Sequence, residues 1–160
     1  MADRRTIAQL ARCLGALALL GVGVDHLEQF YVDSYSAIPT IGTLFALDFA
    51  SATVVALGLL APIGRIARRW AKPARTLLAV IGISIAAGSL AALLVSENGG
   101  LFGFSEQGYR EAIVISIVLE VAAITLLGLF LAIAEGEARE RRRAPRRAGG
   151  ARRAPRSTAS

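Results

Sequence analysis

One cysteine, Cys13, and one histidine, His26, stand in 160 residues. A lone cysteine excludes an intramolecular disulfide framework, and with a single histidine it cannot build a zinc site of the usual Cys/His kind. The two cannot act as nucleophile and base either, because thirteen residues of helix would hold them about 20 Å apart. Also missing are a phosphate-cradling Gly-x-x-x-x-Gly-Lys, a dinucleotide fingerprint after a strand and a nucleophile elbow. The sequence therefore assigns no catalytic residue, metal ligand or cofactor and reads as non-enzymatic. Charge, finally, is missing from long stretches of the chain. Hydrophobic residues make up 54% of it, above the roughly 45–50% of soluble domains.

Crossing a hydrocarbon core of about 30 Å takes roughly 20 apolar residues of helix. Residues 38–60 contain one charge, Asp48; residues 76–96 contain none; residues 112–134 contain one, Glu120. The first segment is shorter: residues 13–24 are uncharged and follow Arg4, Arg5 and Arg12, as in a signal peptide. No small-x-small cleavage site follows, and Asp25, His26 and Glu28 come instead, so the expectation is a helix over residues 7–30 with Arg12 snorkelling to the interface. A lipoprotein reading fails because Arg12 precedes Cys13 where a small residue is needed. The expected architecture is all-α: a polytopic membrane protein whose residues 1–137 form an up-down-up-down bundle of four transmembrane helices (7–30, 38–60, 76–96 and 112–134).

Basic residues set the expected orientation, because Lys and Arg are retained in the cytoplasm. The N-terminal segment has three (Arg4, Arg5, Arg12), the loop after the second span five (Arg65, Arg68, Arg69, Lys72, Arg75), and the chain from Arg139 onward nine of the 18. Arg110 alone remains for the other side, with Asp25, Glu28, Asp33, Glu97 and Glu106 and an aromatic belt of Phe30, Tyr31, Tyr35, Phe102, Phe104 and Tyr109. Both termini are therefore expected on the cytoplasmic side of the membrane.

Residues 138–160 are arginine, alanine, glycine and proline without apolar periodicity, so this tail is expected to fray beyond Arg143 and to be mostly disordered. Arg141, Arg142 and Arg143 could neutralise nucleic-acid phosphates. They begin where the last span ends, however, which favours anionic lipid head groups, at about 1 kcal/mol per arginine. In the basic loop, Ile63, Ile66 and Trp70 at i, i+3 and i+7, with Arg65, Arg68, Arg69 and Lys72 on other faces, suit an amphipathic segment lying on an anionic leaflet. A simple topogenic loop accounts for the same residues.

Buried carboxylates are the most informative feature, since a charge near the bilayer centre costs at least about 2.5–3.5 kcal/mol. Asp48 and Glu120 lie at matching depths in their spans with no Lys or Arg at that level, so each must be protonated, hydrogen-bonded, hydrated or cation-bound. Ser116 shares a helix face with Glu120 and Ser51 with Asp48, while Ser84 and Ser89 are further partners. Asp25, Glu28 and Gln29 lie at i, i+3 and i+4, and His26 points to the mouth of the bundle. Three readings stay open. Asp25, His26, Asp48 and Glu120 form a proton or small-cation site for translocation or sensing, the acids are hydrogen-bonding glue in a structural or accessory subunit, or the cluster takes another ligand. Gly42, Ala46 and Ala50, and again Ser84, Gly88 and Ala92, form small-residue stripes suited to packing within the bundle or, in a homo-oligomer or partner complex, between chains.

The stretch of residues 26–60, with Tyr-Ser-Ala-Ile-Pro-Thr-Ile-Gly-Thr-Leu-Phe at 35–45, resembles small four-helix membrane proteins of high-GC actinobacteria, which makes a bacterial inner membrane the expected location. The helix layout is also loosely similar to that of DoxX-like membrane proteins. The resemblance implies a four-helix membrane fold and brings no catalytic residue with it.

Overall fold

The computed structural model describes residues 3–32, 35–99 and 111–150. From Arg4 the chain meets no proline until Pro39, and residues of the first segment that turn inward recur every three or four positions (Ala11, Gly15, Leu19, Val22, His26). One helix results, α1 (Arg4–Tyr31). After a single 3-10 turn at Tyr35–Ala37, Pro39 opens α2 (Pro39–Leu60), where its missing N–H costs no helical hydrogen bond. Pro62 pushes Ala61 to extended backbone (φ −58°, ψ 144°) and so ends α2. A one-turn helix, α3 (Ile63–Ile66), leads to α4 (Ala71–Gly99), and α5 (Glu111–Gly150) completes the described chain.

The four long helices form a ring in the order α1, α2, α4, α5, with α1 packed most extensively on α2 and α5. Alternation brings both described ends of the chain to one end of the bundle: Arg4 Nη1 lies 2.9 Å from Glu140 Oε1. At this end Arg12 also donates to the carbonyl of Leu59, placing a cation at the C-terminus of α2 where the helix dipole favours it.

The interior is divided along the bundle axis. Toward the end that holds Arg4, Ala16, Leu19, Val55, Leu59, Ala86 and Leu127 form a dry cluster. Close approach depends on glycine: a Cβ on Gly15 would stand 2.8 Å from Leu127 Cδ2, and one on Gly82 2.9 Å from Leu19 Cδ2. Toward the opposite, distal end lie the buried polar residues, Asp25, His26, Gln29, Ser96, Ser116 and Glu120, beside buried Ile41 and Ile113. Large apolar side chains such as Leu17, Val54, Leu77 and Val118 point outward instead. Small residues inside and leucines outside reverse the water-soluble pattern and suit lipid, where helices associate by close packing. Each long helix is long and apolar enough to cross a membrane, and the fold is an all-α four-helix membrane bundle.

Several boundaries differ from those the sequence predicts. α4 begins at Ala71 rather than residue 76, because Pro73 falls in its first turn, where proline is tolerated; the turn closes from Ala74 N to Trp70 O at 2.9 Å. α5 runs through Arg143 to Gly150, where fraying and disorder are expected. Extending an existing helix needs no apolar face, only good helix formers, and Ala, Glu and Arg dominate residues 134–144. Glu135 and Arg139 add an i,i+4 pair at 3.5 Å. The amphipathic segment is not one helix: it breaks at Ala67 (φ −141°, ψ 70°), leaving Ile66 and Trp70 exposed. Within the bundle the small-residue stripes are packed only in part: Gly42 is buried, whereas Ala46, Ala50, Ser84 and Gly88 are exposed. Asp33, Phe102, Phe104, Glu106, Tyr109, Arg110 and the chain from residue 151 lie outside the described residues, as do the side chains of Tyr35, Glu97, Arg141, Arg142 and Arg143.

Candidate functional site

The final two turns of α1 turn three polar residues inward, because Asp25 and Gln29 are one helical turn apart and His26 sits beside them. α2 brings Asp48 and α5 brings Glu120, each nine residues past the start of its helix, or about 14 Å along the axis from the distal end. α4 contributes Ser89, and α5 also contributes Ser116.

These groups divide into two sets. In the first, Asp25 Oδ2 accepts from Gln29 Nε2 at 2.7 Å and from Ser116 Oγ at 2.6 Å. Ser116 thus serves the acid of the neighbouring helix and not Glu120 on its own. The Ser116 bond ties α5 to α1, the Gln29 bond lies within α1, and all three residues are buried. Asp25 consequently does not line the cavity described next, although Gln29 and Ser116 do.

The second set surrounds that cavity, which measures about 350 Å³ and lies among α1, α2, α4 and α5. His26 Nδ1 is 2.9 Å from the carbonyl of Val22 and 3.6 Å from Asp48 Oδ2, and Nε2 is 3.0 Å from Ser89 Oγ. A carbonyl only accepts, so Nδ1 carries a proton, and in the neutral ring Nε2 accepts from Ser89. Ser89 also neighbours the Glu120 carboxyl. A row of polar groups, Asp48, His26, Ser89 and Glu120, therefore crosses the bundle, with His26 and Ser89 at hydrogen-bond distance and His26 3.6 Å from Asp48. Its ends are incomplete: Asp48 Oδ2 and Glu120 Oε2 are buried without a hydrogen-bond partner among the described residues, and Glu120 is only 1% exposed. Phe45 packs its ring 4.9 Å from that of His26.

The other serines expected beside the acids serve backbone instead: Ser51 bonds the carbonyl of Asp48 and Ser84 that of Val80. Among the described residues no three of His, Cys, Asp and Glu are grouped to hold a metal ion. Phe45 and the cavity itself are the elements sequence reasoning missed; an aromatic in a span signals nothing by its spacing. Arg65, Arg68, Arg69 and Lys72 are exposed at the end of the bundle that holds Arg4, away from the cavity, with the Arg69 guanidinium 5.6 Å over the Trp70 ring. No protein family model matches the chain, and no curated protein or solved structure matches it either.

Proposed function

We propose that this chain is a non-enzymatic protein of the bacterial inner membrane, with both termini cytoplasmic, that binds protons at its buried carboxylates and senses or passes them from the outer side. The observation that carries this reading is the contrast between the acids. Asp25 has two hydrogen bonds, and the one from Ser116 ties α5 to α1, as glue requires. Asp48 and Glu120 each leave a buried oxygen unpartnered beside one cavity, linked by His26 and Ser89. An unsatisfied buried oxygen costs about 1–3 kcal/mol, which is poor glue and a suitable place for a proton or water.

The dry cluster of Leu19, Val55, Leu59 and Leu127 favours sensing or one-sided uptake over an open pore, because it closes the other half of the bundle. Basic residues favour the orientation: of the described ones, all lie toward the end that holds Arg4. Arg65, Arg68, Arg69 and Lys72 are then placed to meet anionic lipid. The structural-subunit reading is favoured by the Asp25–Ser116 bond alone, and it accounts for neither unpartnered oxygen.

Difference infrared spectroscopy of the protein in lipid tests the proposal. A carboxylic C=O band that appears and disappears as pH is varied, and that is lost in Glu120→Gln or Asp48→Asn, is the expected result. Wild-type spectra with no titrating carboxylic band would leave these residues as structural groups.

A further inference from the structure

A proton or a water needs only a small space, about 15 Å³ for a water, and the cavity offers about 350 Å³. That volume falls at the lower end of small-molecule sites, roughly 300–1,000 Å³. Its surface is mostly apolar, with Ile41, Leu44 and Phe45 from α2 facing Ile85 and Leu93 from α4. Its polar groups are the carboxyl groups of Asp48 and Glu120, the His26 imidazole, the Gln29 amide and serine hydroxyls, with no Lys or Arg. Leu44, Ser84 and Gly88 line the cavity and are exposed. A Cβ on Gly88 would meet nothing within 4 Å. The cavity therefore reaches the surface along the seam between α2 and α4, on the flank of the bundle that faces lipid.

We propose that this cavity binds a lipophilic ammonium ion, a molecule with one cationic nitrogen on an apolar body of about one aromatic ring, admitted from the bilayer between α2 and α4. The inference rests on reading the cavity as the working site. An ammonium head supplies donors, and Asp48 Oδ2 and Glu120 Oε2 are acceptors without a partner among the described residues. Asp48 and Glu120 face no Lys or Arg in the cavity, and the basic group beside them is His26, 3.6 Å from Asp48 Oδ2. The Phe45 ring beside His26 offers an aromatic wall of the kind that attracts organic cations. An anion would meet no Lys or Arg in the cavity. A bare metal ion is disfavoured because the walls are apolar and no three ligating side chains are grouped among the described residues. A neutral apolar guest would leave both oxygens unpaired.

Equilibrium binding of radiolabelled phenethylamine to the purified full chain in detergent tests this, with phenethyl alcohol as an uncharged molecule of the same shape. Saturable binding of one amine per chain is expected, with the alcohol weaker by about tenfold or more, the ratio that loss of a charged hydrogen bond produces. Glu120→Gln and Asp48→Asn should each weaken amine binding by a similar factor. Ser84→Leu, at an exposed position on the seam, supplies a variant whose folding is not at risk, and it should slow association of the amine. Amine and alcohol binding alike, or amine binding indifferent to both carboxamide variants, would overturn the inference. Absence of saturable amine binding while the carboxylic infrared band still titrates would overturn this inference and leave the proton reading standing. Retained amine binding with no titrating band would do the reverse.

Discussion

Ser116 of α5 donates to the carboxylate of Asp25 on α1 across 2.6 Å, and both residues are buried. Interhelix hydrogen bonds in membrane bundles average about 0.6 kcal/mol and reach about 1.7 kcal/mol. Burial of both partners places this one toward the upper figure. Ser116→Ala should therefore lower thermal stability in detergent by roughly 1–2 kcal/mol while leaving the infrared band assigned to Glu120 in place. Loss of that band in Ser116→Ala would merge the two polar sets into one.

Two glycines provide a paired test of the packing. Gly15 faces Leu127 at a distance no Cβ tolerates, whereas a Cβ on Gly88 meets open space. Gly15→Val should cost about 1–3 kcal/mol or more through overpacking, and Gly88→Ala should be neutral in melting temperature. Equal tolerance of both would mean that α1 and α5 are less closely apposed.

How far the sequence foretold this arrangement depended on whether a property belongs to one helix or to several. Matching depths for Asp48 and Glu120 follow from a constant helical rise, so counting residues sufficed. The rotation of one helix against its neighbour is not written in spacing, and so Ser116 found Asp25 and not Glu120. The cavity was hidden for the same reason. Ser84, Gly88 and Ala92 read as a packing stripe, but in the bundle they line a space that no neighbouring side chain fills. The length of α5 was underestimated because absence of an apolar face argues against starting a helix, not against continuing one.

The asymmetry of basic residues predicts that both ends of the chain face the cytoplasm. Fusing a periplasm-active phosphatase after residue 134 should give no activity, and inserting it within residues 32–37 should give full activity. An active enzyme at residue 134 would reverse the orientation and place the cavity on the cytoplasmic side.

Removal of everything after Glu140 should leave the bundle intact. It spares the Arg4–Glu140 pair, which is exposed and worth little in any case. Melting should shift by no more than about 0.5 kcal/mol equivalent. Association of the protein with anionic vesicles should weaken by about 1 kcal/mol for each arginine that had reached the leaflet. A large loss of stability would show that the end of α5 packs on the bundle.

Because His26 is the one histidine in the chain, ¹⁵N labelling of histidine reports on this site without overlap. The Val22 carbonyl 2.9 Å from Nδ1 can only accept, which fixes the neutral ring with its proton on Nδ1 and leaves Nε2 to accept from Ser89 at 3.0 Å. The spectrum of the neutral ring should therefore show a protonated Nδ1 and an unprotonated Nε2. Ser89→Ala removes the donor to Nε2 and should move that resonance alone, since the Val22 bond lies within α1 and stays. If Ser89 is also the link to Glu120, the same variant should alter the Glu120 infrared band although no carboxylate has been changed. A proton found on Nε2 in the wild type would reverse the direction of the His26–Ser89 bond, with the imidazole donating to Ser89. An unchanged Glu120 band in Ser89→Ala would separate Glu120 from His26 and reduce the site to two independent acids.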